Sequence, residues 1–191
     1  MNRRTFLTST AGAAACGLPG ATFADHHGAG KKLSLGYDNF AVRAMGWKAP
    51  ELIDYAAKLK CDTLFITDFG PLEKMDDDYL GDLRKQGEDA GVKLLLGSWS
   101  ICPTSPGFKD DWGTADEHLQ LGIRASKALG SPAFRVILGS RRDRSTEGGI
   151  DARIADTVAV LKRNKSRCLD AGVKVAMENH AGDMHTCLLY T

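Results

Sequence analysis

Short apolar runs alternate with longer segments of helical period between residues 33 and 178, and this alternation constrains the fold more than any other feature of the sequence. Five runs are predicted as strands, and they cover residues 33–37, 63–67, 92–96, 134–138 and 173–178. Helical periodicity fills the gaps between them, at about 49–59, 76–90, 114–129 and 150–171. Regular alternation of strand and helix predicts right-handed βαβ units and a parallel sheet.

Two α/β architectures fit this pattern, an open doubly wound sheet and a barrel. The turn after the first strand lacks the GxGxxG pattern of a dinucleotide-binding sheet, and no GxxxxGK[ST] phosphate loop is present. Polar and aromatic residues instead follow each strand directly. They are Tyr37, Asp38, Asn39, Thr67, Asp68, Ser98, Trp99, Ser100, Ser140, Arg141, Glu178, Asn179 and His180. Such a ring at successive strand ends favours a barrel with its site at the carboxyl face.

The number of strands predicts a partial (β/α)8 barrel, containing the first five βα units. The chain has 191 residues, whereas an eight-stranded barrel takes about 250. We expect residues 32–186 to be the barrel portion. Residues 187–191 match one reading frame of the transposase end sequence used in shotgun library preparation, and we interpret them as adapter-derived. The alternative, a genuine short C-terminus, would leave an open half-barrel with two exposed edges.

The first 24 residues are predicted to be an export signal. Arg3 and Arg4 precede an apolar residue and a weakly hydrophobic stretch rich in Ala, Gly and Thr, which resembles a twin-arginine signal. Residues 25–31 form a Gly/His-rich linker. This interpretation predicts a periplasmic protein with no stable membrane association after cleavage. The alternatives are a frayed amphipathic terminus and a lipoprotein anchor at Cys16.

Composition narrows the partners. The formal net charge is +1 with the two signs interspersed, so no basic stripe indicates a nucleic-acid partner. Outside the signal and the last five residues, the cysteines are Cys61, Cys102 and Cys168, and no two of them form a CxxC pair. We therefore expect buried free thiols rather than a disulfide framework. The sequence leaves a homo-oligomeric state open.

The segment from Val173 to Asp183 carries the strongest chemical signal. Glu178 closes an apolar strand and is followed by Asn179, His180 and a Gly-Asp turn. A carboxylate at the end of a buried strand is costly unless a metal or hydrogen bonds compensate its charge. The alternative for Glu178 is a salt-bridged carboxylate at the rim. His180 either contacts substrate, orients a ligand or is a polar histidine on a loop.

This Glu-Asn-His segment, together with the five-unit pattern, resembles the xylose isomerase-like barrel superfamily of sugar phosphate isomerases and epimerases. The resemblance implies that Glu178 is the first of four ligands to one divalent metal ion (Mn, Mg, Co or Zn). It also implies that Glu178 can act as a catalytic acid or base beside a sugar carbonyl. His180 and Asn179 would then contact the small-molecule carbohydrate substrate, and the reaction would pass through an enediolate or a related proton or hydride transfer.

Three further residues are candidates outside that segment. Trp99 follows its strand directly and suits the apolar face of a sugar, although a tryptophan between helix and barrel is equally common. Arg141 could hold an anionic group, and a solvated charged loop explains it equally well. Arg135 lies within a strand and needs a partner if it is buried. His118 is predicted to lie on a helix surface.

Other functions fit the same fold. A lyase acting on a cyclic polyol would share the metal site, and an exported carbohydrate-binding barrel would have lost it. An endonuclease of abasic DNA needs several histidines at early strand ends, and the first four predicted strands supply none.

Overall fold

The computed structural model describes residues 33–178, 180 and 182. The chain divides into two units, Met1–Leu33 and Ser34–Thr191, and the described residues after Leu33 all belong to the second. The predicted signal, most of the linker and the predicted adapter segment lie outside the described residues. In this part of the chain, no helix combines the length and hydrophobicity needed to cross a membrane.

The described residues of the second unit form one parallel sheet whose strands follow chain order. The strands are β1 (Gly36–Asp38), β2 (Thr63–Ile66), β3 (Lys93–Ser98), β4 (Ala133–Ile137) and β5 (Lys174–Glu178). Each strand pairs in parallel with the next, in the order β1-β2-β3-β4-β5. A doubly wound sheet reverses its strand order at a switch point, whereas a barrel keeps winding in one direction. The order therefore confirms the barrel arrangement over the alternative.

Four α-helices connect these strands, and local sequence explains where each begins and ends. They are α1 (Ala49–Lys58), α2 (Asp77–Asp89), α3 (Ala115–Leu129) and α4 (Gly149–Ala171). The Asp76 side chain accepts a hydrogen bond from the Tyr79 amide and caps α2. Helices α3 and α4 end at Gly130 and Gly172, both with positive φ, a conformation that glycine adopts without steric cost.

The hydrophobic core lies between the sheet and these helices. Alternate residues of the strands point toward the helices, so Leu64 and Ile66 of β2 and Phe134 and Val136 of β4 are all fully buried. The residues between them, Phe65 and Arg135 among them, point to the opposite face, which is the inner face of a barrel. At the edge, Gly36 approaches Thr63 so closely that a Cβ would overlap it.

Most predicted elements are confirmed to within two residues, and two predictions are wrong. The first strand begins at Gly36 rather than residue 33, because Leu33 and Leu35 are exposed and the described helices do not cover them. His118 is fully buried rather than on the surface, since it lies on the face of α3 that packs against the sheet. The third strand also runs two residues further than predicted, to Ser98.

Candidate active site at the carboxyl ends of the strands

Glu178 is the last residue of β5, at the carboxyl end of the sheet, as the sequence predicted. Its Oε2 lies 3.0 Å from the Nε of Arg135, and the Glu178 side chain is 41% exposed. Strand register explains the contact: Ile137 pairs with Glu178, and Arg135 precedes Ile137 by two residues on the same face. The two charged side chains are therefore diagonal neighbours on the inner face.

Arg135 is held by three strands besides its own. Its Nη1 donates a hydrogen bond to the Ser98 carbonyl at 3.0 Å, and its guanidinium lies 4.9 Å from the centroid of the Phe65 ring. Only 15% of the side chain is exposed. The expectation that a buried arginine here needs a partner is met by Glu178, the carbonyl and the ring together.

The electrostatics around Arg135 are mixed. Burial lowers the pKa of Arg135, and the carboxylates of Glu178, Asp68 and Asp38 oppose that shift because they favour the charged guanidinium. Asp38 ends β1 and Asp68 follows β2, so the acidic groups near Arg135 come from the carboxyl ends of three strands. Three carboxylates of the described residues therefore act on this one guanidinium.

Arg141 lies in a short 3-10 helix, Arg141–Ser145, that follows β4. Its side chain is exposed, and its backbone amide donates a hydrogen bond to the Gly182 carbonyl at 2.9 Å. The loop after β4 therefore contacts the loop after β5, which also contains the exposed His180. Asn179 lies outside the described residues.

The buried carboxylate of Asp143 fastens the Arg141 loop to the loop after β3. Its Oδ2 accepts hydrogen bonds from the Ser140 amide and from the Ser105 hydroxyl, the latter at 3.0 Å. Gly139 has no space for a side chain, because a Cβ would overlap Asp143 and the Ser105 hydroxyl. Sequence reasoning missed Asp143, which stands among arginines in a segment that looks like an ordinary charged loop.

Trp99 comes directly after β3 and is half-buried. The Nζ of Lys109 lies 3.8 Å from the centroid of the Trp99 ring, so a cation occupies one ring face. A sugar could pack on this ring only where Lys109 leaves it accessible.

A second pair that the sequence did not indicate lies between β3 and α3. The Oγ of Ser98 is 2.7 Å from the Nε2 of His118, and both residues are buried. Among the described residues, the His118 Nδ1 has no hydrogen-bond partner, and burial lowers the pKa of His118 to about 4. The imidazole is therefore neutral at physiological pH.

Glu178 is a candidate donor for a divalent metal. Glu178 presents a partly exposed carboxylate at the carboxyl end of β5, and carboxylate oxygen is a donor that hard and borderline divalent ions accept. Within residues 33–178, 180 and 182, no three His, Cys, Asp or Glu side chains form a group that could hold such an ion. The donor type fits a metal, and further ligands would have to come from outside the described residues.

The fold is that of the first units of a TIM barrel, as two solved structures show. The zinc-bound IolI protein superposes with a TM-score of 0.59 at 18% identity, covering 80% of this chain and 54% of its own. D-psicose 3-epimerase, solved in the presence of D-fructose, superposes with a TM-score of 0.56 at 16% identity, covering 75% of this chain and 51% of its own.

The chain therefore spans about half the length of these two structures. No protein-family model matches the sequence, and no curated protein matches it. The fold that the resemblance implied is confirmed by structural similarity alone.

Proposed function

We propose that the protein is a metal-dependent isomerase or epimerase that acts on a sugar or a sugar derivative. The observation that carries this proposal is the position of Glu178, a carboxylate at the carboxyl end of β5 on the inner face of a TIM-barrel sheet. Active sites of TIM barrels lie at the carboxyl ends of the strands. The similarity to an epimerase and to a zinc-bound protein supports both the reaction class and the metal.

The bound metal would polarise the sugar carbonyl and make the neighbouring C–H more acidic. Glu178 would bind this ion through a carboxylate oxygen and could also accept the proton from that carbon. Loss of the proton gives an enediolate. Delivery of a proton to the opposite face of the same carbon, by an acid other than Glu178, would give the epimer. Return of the proton by Glu178 to the former carbonyl carbon, with a proton moving between the two oxygens, would give the isomer.

The other candidate residues would bind and orient the sugar. The accessible part of the Trp99 ring would pack on the apolar face of the sugar. His180 and Asn179, on the loop after β5, would contact hydroxyl groups. The Arg141 guanidinium is exposed on the neighbouring loop and would hold an anionic substituent if the substrate carries one.

We further propose that the whole protein continues the barrel past β5. Leu169 on α4 is 70% exposed and Met177 on β5 is 54% exposed. An apolar groove of about 570 Å³ runs along the same edge and includes Val158, Leu161 and Val175. An apolar face of this kind beside an edge strand is what a further βα unit would cover.

Export through the twin-arginine route is also a proposal, and it concerns residues outside the described part. A protein with Arg3→Lys and Arg4→Lys should stay in the cytoplasm, because the paired arginines are the recognised feature of the signal. Cell fractionation measures this, with Lys31→Arg, a charge-conserving exchange outside the pair, as the matched control. Unchanged periplasmic recovery of the double variant would contradict the proposal.

Solvent exchange tests the function directly. The whole protein is incubated with a panel of ketoses and aldoses in deuterated water, and NMR follows deuterium incorporation beside the carbonyl. We expect exchange to stop on chelation and to fall by at least about 100-fold in Glu178→Gln, since removal of a general base costs 10²–10⁴. Glu88→Gln, on the exposed face of α2, is the control.

Undiminished exchange after chelation or in Glu178→Gln would contradict the proposal. Sugar binding without exchange or any other turnover would instead favour the non-catalytic carbohydrate-binding barrel. Elimination of water from a cyclic polyol would favour the lyase.

A further inference from the structure

We propose that Arg135 is a positioning residue that orients the Glu178 carboxylate for binding a divalent cation; this inference rests on the proposed function. The ion pair joins β4 to β5 at the carboxyl end of the sheet, with 3.0 Å between the Arg135 Nε and the Glu178 Oε2. Among the described residues, Arg135 is the charged side chain that forms an ion pair with Glu178. Arg135 is therefore the group best placed to set the direction of this carboxylate.

The Arg135 guanidinium is mostly buried and is held by contacts with neighbouring strands. Phe65 of β2 supports it, the Ser98 carbonyl of β3 accepts a hydrogen bond from it, and β4 carries it. Gly97 leaves the space that these contacts need, because a Cβ there would lie 3.0 Å from the Phe65 ring and 3.1 Å from the Arg135 Nε. Because contacts with β2 and β3 hold the Arg135 side chain in place, Arg135 can in turn orient the Glu178 carboxylate on β5.

Arg135 attracts the Glu178 carboxylate through its charge and does not hold it by a hydrogen bond from Nε. The two atoms lie at ion-pair distance, but the Nε–H is not aligned for a hydrogen bond with the carboxylate oxygen. Charge attraction between the two groups does not require hydrogen-bond alignment. Since 41% of the Glu178 side chain is exposed, the carboxylate can turn an oxygen toward a cation while the arginine stays beside it.

Two opposing effects of Arg135 on cation affinity must be compared. Its positive charge repels a cation, whereas its support of a ligand favours binding; loss of such a supporting group typically weakens metal binding 10- to 100-fold. Repulsion is reduced here, because the carboxylates of Asp68 and Asp38 also act on the guanidinium and would attract a cation. We therefore expect the supporting effect to dominate.

Manganese titration of the whole protein by calorimetry tests the inference. We expect Arg135→Met to weaken Mn²⁺ binding about 10- to 100-fold. Arg135→Lys should restore part of the affinity, since lysine keeps the charge but lacks the planar fork. Gly97→Ala should weaken binding without changing any charge. Arg163→Met is the control, because Arg163 forms an exposed ion pair with Asp116 on the helical layer.

Each outcome decides a different question. If the wild-type protein does not bind Mn²⁺, or Glu178→Gln binds it equally well, the proposed function fails. If Glu178→Gln loses binding while Arg135→Met keeps wild-type affinity or binds more tightly, this inference alone is overturned. Should Arg135→Met not fold, wild-type affinity in both Arg135→Lys and Gly97→Ala would overturn it. Circular dichroism and thermal unfolding in chelator separate lost binding from lost stability.

Discussion

The hydroxyl of Ser98 lies 2.7 Å from the Nε2 of His118, and the carbonyl of the same serine accepts a hydrogen bond from Arg135. Ser98, the last residue of β3, thus has a contact on each face of the sheet. Its side chain reaches α3 on the outer side, and its backbone supports the guanidinium on the inner side. The buried histidine is linked through one residue to the Arg135–Glu178 pair.

The first prediction concerns stability against pH. Burial lowers the pKa of His118 to about 4 in the folded protein, against an ordinary value of 6.5. Because the pKa of His118 is lower in the folded than in the unfolded protein, protonation favours the unfolded state. The contribution of neutral His118 to the free energy of unfolding is therefore fully present above pH 6.5 and is lost as the pH falls toward 4. A difference of that size corresponds to about 3 kcal/mol. Urea unfolding of wild type and His118→Gln between pH 4 and 8 measures it.

Other groups titrate in this range, so the difference between the two proteins is the quantity of interest. The wild-type free energy of unfolding should fall more steeply below pH 6.5 than that of His118→Gln. Parallel curves for the two proteins would show that His118 is not the buried, neutral group described here.

A second prediction compares two helical glycines. Gly122 on α3 faces Phe134 of β4, and an added Cβ would overlap the ring, whereas Gly81 on α2 has no such neighbour within 4 Å. Alanine gains about 1 kcal/mol over glycine within a helix. Overpacking costs about 1–3 kcal/mol. Gly81→Ala should therefore stabilise the protein and Gly122→Ala destabilise it, as measured by denaturant midpoints; stabilisation by both would contradict this packing.

A third prediction concerns the start of α3. Thr114 and Glu117 form a capping box, in which the Thr114 hydroxyl accepts from the Glu117 amide and Glu117 accepts from the Thr114 amide. Thr114→Ala should lower the free energy of unfolding by about 1 kcal/mol. Thr114→Ser retains the hydroxyl and should remain within a few tenths of wild type. Equal losses in the two variants would point to the threonine methyl group instead.

A fourth prediction concerns Asp143, whose carboxylate joins the loop after β3 to the loop after β4. Asp143→Ala removes the acceptor of the Ser105 hydroxyl and the Ser140 amide, and buried donors left without an acceptor cost about 1–3 kcal/mol each. We expect a loss of about 2–4 kcal/mol in thermal or urea unfolding. Asp82→Ala, on the exposed side of α2, should change stability by less than about 0.5 kcal/mol. A small effect at Asp143 would mean that the loops are held by their backbones alone.

The order of elements could be predicted from the sequence because the signals are local. Apolar runs, helical periodicity and the terminal glycines Gly130 and Gly172 all act within a few residues of chain. The start of the first strand differs from the prediction for a tertiary reason: Leu33 and Leu35 are apolar, yet the described helices leave them exposed. His118 was misplaced because a single polar residue on a helix does not reveal which face packs inward.

The sequence by itself determined the alternation of strands and helices, the polar residues at the strand ends and the position of Glu178 as the last residue of β5. Tertiary structure alone decided that Arg135 lies beside Glu178, that Ser98 contacts His118 and that Asp143 joins two loops. These contacts depend on strand register and on which face of each element is buried. Register arises from pairing between segments far apart in the chain, and short stretches of sequence do not specify it.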